Sequence, residues 1–200
     1  MKKLLLLPAM LLTGAAHAQT NALKVDIFQP VINTLAVSFE HKLSETSSFQ
    51  IGLSGTFSYS EDGDSFTNES GRKTSGFAIT PEYRLYLSEK HPAPEGFYVA
   101  PFVRYQYLSQ TGFADGYYSG GGAPSGQPYE ASLNAFGLGV TVGRHWIFKQ
   151  RFSLDIFAGP AYTVTSISSD NAAIDKDYFV SYFEGTNYDF RGGVTFGLAF

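Results

Sequence analysis

Few side chains in this 200-residue chain could do chemistry, and their spacing limits what it could be. Beyond the first eighteen residues the histidines are His41, His91 and His145. Imidazole is the commonest proton-transfer group near neutral pH, but it must come within hydrogen-bond reach of a substrate atom. Paired zinc ligands on a helix sit four residues apart, a spacing these three lack. With no cysteine, thiol nucleophiles, disulfides, iron–sulfur clusters and Cys-ligated zinc are excluded. The run Ser60-Glu61-Asp62-Gly63-Asp64-Ser65 places oxygen ligands close together but lacks the remaining positions of a calcium-binding loop, including its final Glu. It reads as a solvated acidic loop. No metal or cofactor is expected.

Two aromatic clusters have a composition suited to recognition. Residues 116–129, Gly-Tyr-Tyr-Ser-Gly-Gly-Gly-Ala-Pro-Ser-Gly-Gln-Pro-Tyr, combine flexible glycine with rigid tyrosine, as adaptable binding surfaces do. Tyr117, Tyr118 and Tyr129 are the candidates there, and Tyr178, Phe179, Tyr182 and Phe183 form the second set. The same residues could instead pack loops together with no ligand.

What positions these residues is a series of strands behind an export signal. Lys2 and Lys3 precede the apolar run Leu4–Leu12, and Ala16-His17-Ala18 supplies the small residues a signal peptidase reads. The run is about half the roughly 20 residues a membrane-spanning helix needs. Residues 1–18 are therefore expected to be removed, leaving 19–200 as one domain with 12 basic and 18 acidic side chains. That acidic balance, without a basic cluster, argues against a nucleic-acid partner. Charged residues make up 16% of the chain, below the roughly 25% of soluble domains.

Period-2 alternation recurs along the rest, placing successive side chains on opposite faces. It predicts eight strands, at about 21–29, 34–43, 49–59, 75–88, 97–108, 132–146, 151–164 and 187–200. In the third, Phe49, Ile51, Leu53, Phe57 and Tyr59 alternate with Gln50, Gly52, Ser54, Thr56 and Ser58. The long connections 60–74, 109–131 and 165–186 leave one end and the short ones 44–48, 89–96 and 147–150 the other, the asymmetry of outer-membrane barrels. Pro81, Pro101 and Pro160 fall inside strands and predict bulges or broken ladders.

Alternation alone does not say which face meets water. The polar face is rich in glycine and other small residues, as in Gly137, Gly139, Thr141 and Gly143, which suits a packed interior better than a solvated surface. It also carries Lys24, Lys42, Arg84, Arg104 and Arg191 against Asp26, Glu40, Glu82, Asp155 and Asp189, five of each sign. Balanced charge is what burial requires, so these ten are expected to form a structural network. A selective pore would want a ring of one sign. Trp146 near one end, and Tyr59, Tyr107 and Tyr162 near the other, fit two interfacial girdles. Phe196, Leu198 and Phe200 alternate at the C-terminus, resembling the signal by which the outer-membrane assembly machinery recognises its substrates.

The stretches Asn21-Ala22-Leu23-Lys24, TPEYRLYLS at 80–88, GFYVAPFVRY at 96–105 and WIFKQRFSLDIFAGPAY at 146–162 resemble a domain-of-unknown-function family of small Gram-negative outer-membrane barrels. The resemblance implies a fold and an address but no chemistry, and no catalytic residue is carried over. Lipid A-modifying barrels use a His near the outer leaflet, whereas His41, His91 and His145 all fall at the short-turn side, as rim or turn residues. The expectation is an all-β, eight-stranded antiparallel up-and-down transmembrane barrel in the outer membrane, not an enzyme. Its partners would be outer-membrane lipid, the assembly machinery and an unidentified extracellular ligand. Two alternatives are a narrow channel or conduit for a small hydrophobic molecule, and a soluble lipocalin-like lipid binder. The second lacks the Cys pair and early Gly-x-Trp motif of lipocalins.

Overall fold

The computed structural model describes residues 20–60, 73–88, 92–114, 127–170 and 187–200. The predicted signal peptide, the acidic run from Glu61 to Ser65, His91, Tyr117, Tyr118, Tyr178, Phe179, Tyr182 and Phe183 lie outside the described residues.

Eight antiparallel strands close into an up-and-down barrel in which each strand pairs with its chain neighbours and β1 with β8. They are β1 (Asn21–Asp26), β2 (Thr34–Lys42), β3 (Ser47–Ser60), β4 (Lys73–Tyr86), β5 (Gly96–Ala114), β6 (Gln127–Phe148), β7 (Phe152–Ser169) and β8 (Tyr188–Ala199). Each coincides with a predicted segment. A closed sheet leaves no strand edge unpaired.

The strand ends differ where apolar patterning gives no signal. β5 and β6 run to 19 and 22 residues and remain paired out to Ala114 opposite Gln127. This extension is polar and glycine-bearing, and the Tyr129 hydroxyl donates within it to Gln110 Oε1 at 2.9 Å. β1 is shorter than predicted, because Asp26 Oδ1 accepts from the backbone N–H groups of Phe28 and Gln29 and starts a 3-10 turn over Gln29–Ile32. Asn33 closes that turn in the left-handed region at φ 54°. At the opposite end Lys149 and Gln150 both adopt positive φ, the geometry of a tight hairpin turn whose twist matches the strands.

At each of the three strand prolines the ladder is broken, as expected, and no bulge forms. Each stays in register with one neighbour, Pro81 with Ile51, Pro101 with Val140 and Pro160 with Phe190. On the other side the ladder skips the proline and resumes in the same register. A missing N–H removes bonds on one side only, and the second neighbour holds the strand in line. The register shift among these pairs lies instead between Thr56 and Tyr59.

The two faces separate as the alternation requires. Phe136, Leu138, Val140 and Val142 point outward and are 44–59% exposed. Leu23, Val25, Leu53, Phe77, Phe190, Phe196 and Leu198 behave alike. Lys24, Glu40, Arg84 and Asp155 point inward and are fully buried. The barrel is apolar outside and charged within, the inverse of a water-soluble core. At the short-turn end Arg144 lies 4.6 Å from the Phe97 ring and 4.9 Å from that of Trp146. Toward the other end Tyr162 meets Tyr188 edge-on and Tyr107 packs on Phe77. The side chain of Tyr59 lies outside the described set.

Candidate functional site

The barrel interior is crossed by ion pairs. Period-2 placement brings Lys24, Glu40, Glu82, Arg84 and Asp155 to the inner faces of β1, β2, β4 and β7. Lys24 Nζ donates to Glu40 Oε2 at 2.6 Å and to Asp155 Oδ2 at 3.0 Å. Arg84 reaches Asp155 Oδ2 at 2.7 Å, Glu40 Oε2 at 3.1 Å and Glu82 Oε1 at 2.6 Å. Arg191 on β8 closes the set on Glu82 Oε2 at 2.7 Å, with its guanidinium over the rings of Phe102 and Phe157. Three cations meet three carboxylates, so the cluster is neutral. That balance is what an interior of low dielectric tolerates.

Hydroxyl groups add further donors to two of the carboxylates. Ser48 and Tyr86 both donate to Glu40 Oε1, and Tyr98 donates to Asp155 Oδ1 at 2.8 Å. The Tyr98 ring also carries the Arg84 guanidinium 4.2 Å above it. These contacts join strands on opposite walls, so the lumen near the short turns is filled. An eight-stranded barrel has little more room than its own side chains need.

Six of the ten predicted interior charges thus form one network, and the other four have different surroundings. Asp26 caps the turn after β1, and Asp189 Oδ1 accepts from the backbone N–H of Phe190. Lys42 pairs at 2.7 Å with Glu45, itself largely exposed at the short-turn rim. Arg104 faces inward, where its charge is met by that of Asp189 and opposed by that of Arg191. It lines a cavity with Arg191, Asp26, Ser38, Gln50 and Thr195.

Two residues lie elsewhere than their sequence predicts. Tyr129 is not a loop residue, since it belongs to β6, is 3% exposed and packs against Gly112 inside the extended hairpin. Its neighbours in sequence resemble a loop because hydrogen bonding, not apolar burial, carries this part of the strand. His145 is not a rim residue, since it is fully buried with Nδ1 3.7 Å from Glu40 Oε2. The parity that turns Gly137, Gly139, Thr141 and Gly143 inward turns His145 inward as well. Neither ring nitrogen has a hydrogen-bond partner among the described residues. His41 is exposed at the rim, bonded to Asn21 Oδ1 at 2.8 Å. The same parity would have identified Ser48, Tyr86 and Tyr98 as members of the network.

A family model described as "Protein of unknown function (DUF3575)" matches residues 4–188. No curated protein matches the chain. Among solved structures, the chain is similar to CarO2 of Acinetobacter baumannii, with 14% identity over 91% of this chain and 98% of that one and a TM-score of 0.47. CarO of the same organism is similar at 11% identity over 92% and 98%, with a TM-score of 0.49. A major outer membrane protein from Thermus thermophilus is similar at 13% identity over 92% and 100%, with a TM-score of 0.47.

Proposed function

The chain belongs to the DUF3575 family of proteins of unknown function, and we propose that it is a small outer-membrane barrel with a structural or surface-interaction role, exerted through its long connections and without catalysis. The observation that carries this reading is the inversion of the two faces. A belt of exposed Leu, Val, Ile and Phe surrounds a neutral, hydrogen-bonded set of buried charges. Lipid is the solvent that accepts such a belt, and a closed barrel is one of two backbone arrangements that can sit in it.

The cross-lumen ion pairs favour this role over an ion channel, since a conducting path would have to part them. The outward apolar face weighs against the lipocalin-like alternative, whose apolar residues would line the interior. On this reading, residues 1–18 are a cleaved signal, outer-membrane lipid and the assembly machinery are the partners in biogenesis, and surface recognition falls to the connections around Tyr117, Tyr118 and Tyr178.

Fractionation of expressing cells, followed by a detergent gel with and without boiling, tests the address. A closed hydrogen-bonded barrel resists detergent until heated. An outer-membrane band whose mobility changes on boiling is expected. A soluble periplasmic band with no shift would overturn the proposal.

A further inference from the structure

The barrel wall is uneven on the long-connection side. β5 and β6 stay paired out to Ala114 and Gln127, and beyond Tyr107 the outer-face positions of β5 turn polar, at Ser109 and Thr111. β1 and β2 are only 6 and 9 residues long and are joined through the 3-10 turn Gln29–Ile32. At ~3.3 Å per residue and a tilt of about 40°, they climb ~15 Å and ~23 Å from the rim pair Asn21–His41, so neither clears the apolar band of about 25 Å on a transmembrane barrel. The turn between them falls at the depth of lipid.

Its side chains are those lipid accepts. Ile27, Phe28, Val31 and Ile32 are all exposed, Val31 at 80%. No charged residue occurs between Ile27 and Phe39, whereas each longer connection on the same side carries acids, such as Glu61, Asp115 and Asp175. The patch is continuous with the outer belt through Val25 on β1 and Leu35 on β2. Gln29 is turned to the interior cavity, which leaves Asn33 as the exposed polar side chain of the turn. The backbone suits the same solvent, since an unbonded N–H is costly in hydrocarbon. The N–H of Ile27 donates to Val194 O, those of Phe28 and Gln29 to Asp26 Oδ1, that of Val31 to Phe28 O and that of Asn33 to Pro30 O, while Pro30 has none. Asp26 itself is buried, so its charge does not reach the patch.

We propose that the β1–β2 turn is a lipid anchor, with Ile27, Phe28, Val31 and Ile32 seated among the acyl chains of the leaflet on the long-connection side. The inference rests on the membrane reading above and adds an uneven seating to it. The β1–β2 side of the mouth lies in the bilayer, and the β5–β6 side stands clear of it.

The chain has no cysteine, so single introduced cysteines can carry a spin label. The test is collisional accessibility to oxygen, which partitions into lipid, and to a nickel chelate, which stays in water. Chain 19–200 is refolded into bicelles of dimyristoyl- and dihexanoylphosphatidylcholine, open to solvent on both faces. Leu138→Cys is the lipid reference and Glu45→Cys the aqueous one. The oxygen-to-nickel ratio at Val31→Cys is expected severalfold above that at Glu45→Cys and toward that at Leu138→Cys, with Thr111→Cys following Glu45→Cys. A heat-shifted gel band establishes that each variant is folded, and Ile32→Cys replaces Val31→Cys if that variant does not fold. An aqueous ratio at Val31→Cys, as for a patch kept for a soluble partner, would overturn the proposal. So would low accessibility to both reagents, or spin–spin broadening relieved by unlabelled chain, which marks a second copy on the turn. A lipid-like Thr111→Cys would overturn the uneven seating. An aqueous ratio at Leu138→Cys would instead overturn the membrane reading itself, and the anchor with it.

Discussion

Arg84 on β4 and Asp155 on β7, 71 residues apart in the chain, meet inside the barrel at 2.7 Å. The contact ties opposite walls together, and Lys24 and Tyr98 converge on the same carboxylate. Removing one partner of a buried pair leaves the others uncompensated, at about 3–5 kcal/mol. Asp155→Asn is therefore expected to lower barrel stability by that amount, read as a lower urea midpoint for the protein refolded into lipid vesicles.

The rim pair Lys42–Glu45 has nearly the same length, 2.7 Å, but the Glu45 side chain is 77% exposed. Screened pairs of this kind contribute about 0–1 kcal/mol. Glu45→Gln should leave the same midpoint almost unchanged, and a drop comparable with that of Asp155→Asn would contradict the distinction between lumen and rim.

Gly143 lies against the phenol that supports Asp155. A Cβ at this position would stand 2.5 Å from the Tyr98 ring and 2.8 Å from the carbonyl oxygen of Ile156. At Gly52 the nearest atom would be 3.6 Å away. Overpacking costs roughly 1–3 kcal/mol, so Gly143→Ala should destabilise the barrel while Gly52→Ala is nearly neutral in parallel urea titrations.

Leu138 sits midway along β6 and is 56% exposed on the outer face. An arginine at the bilayer midplane costs about 2–4 kcal/mol in a transmembrane barrel. Leu138→Arg should reduce the folded fraction in vesicles by that margin. A water-facing strand would tolerate the change, and an unaffected yield would speak against the membrane reading.

The Tyr129 hydroxyl is bonded within the long hairpin, to Gln110. Tyr129→Phe removes a hydrogen bond worth about 0.5–1.5 kcal/mol. A loss of stability of this size, together with a Tyr129 ring that resists aqueous labelling in the native protein, is the expected result.

Eight strands, their order and the orientation of nearly every described side chain were legible in the sequence, because a two-residue period is a local property. Phe49, Ile51 and Leu53 face one way wherever the sheet is placed, and Gln50 and Gly52 the other. The same rule already held Tyr86, Tyr98 and His145 inward. The long β5–β6 hairpin was hidden, because bonding such as that of Tyr129 to Gln110 leaves no apolar pattern. The prolines break the ladder on one side, as their missing N–H predicts, while a second neighbour holds each strand in register.

What local pattern could not decide is who meets whom inside. Ten charges of balanced sign were visible along the chain, yet Arg84 reaches Asp155, Glu40 and Glu82 while Arg104 faces a cavity. Those choices depend on the register and closure of the barrel, which bring together residues as far apart as Lys24 and Asp155. Alternation determined the face on which each charge lies; only the closed barrel set the distances between them, and ion pairing depends on distance.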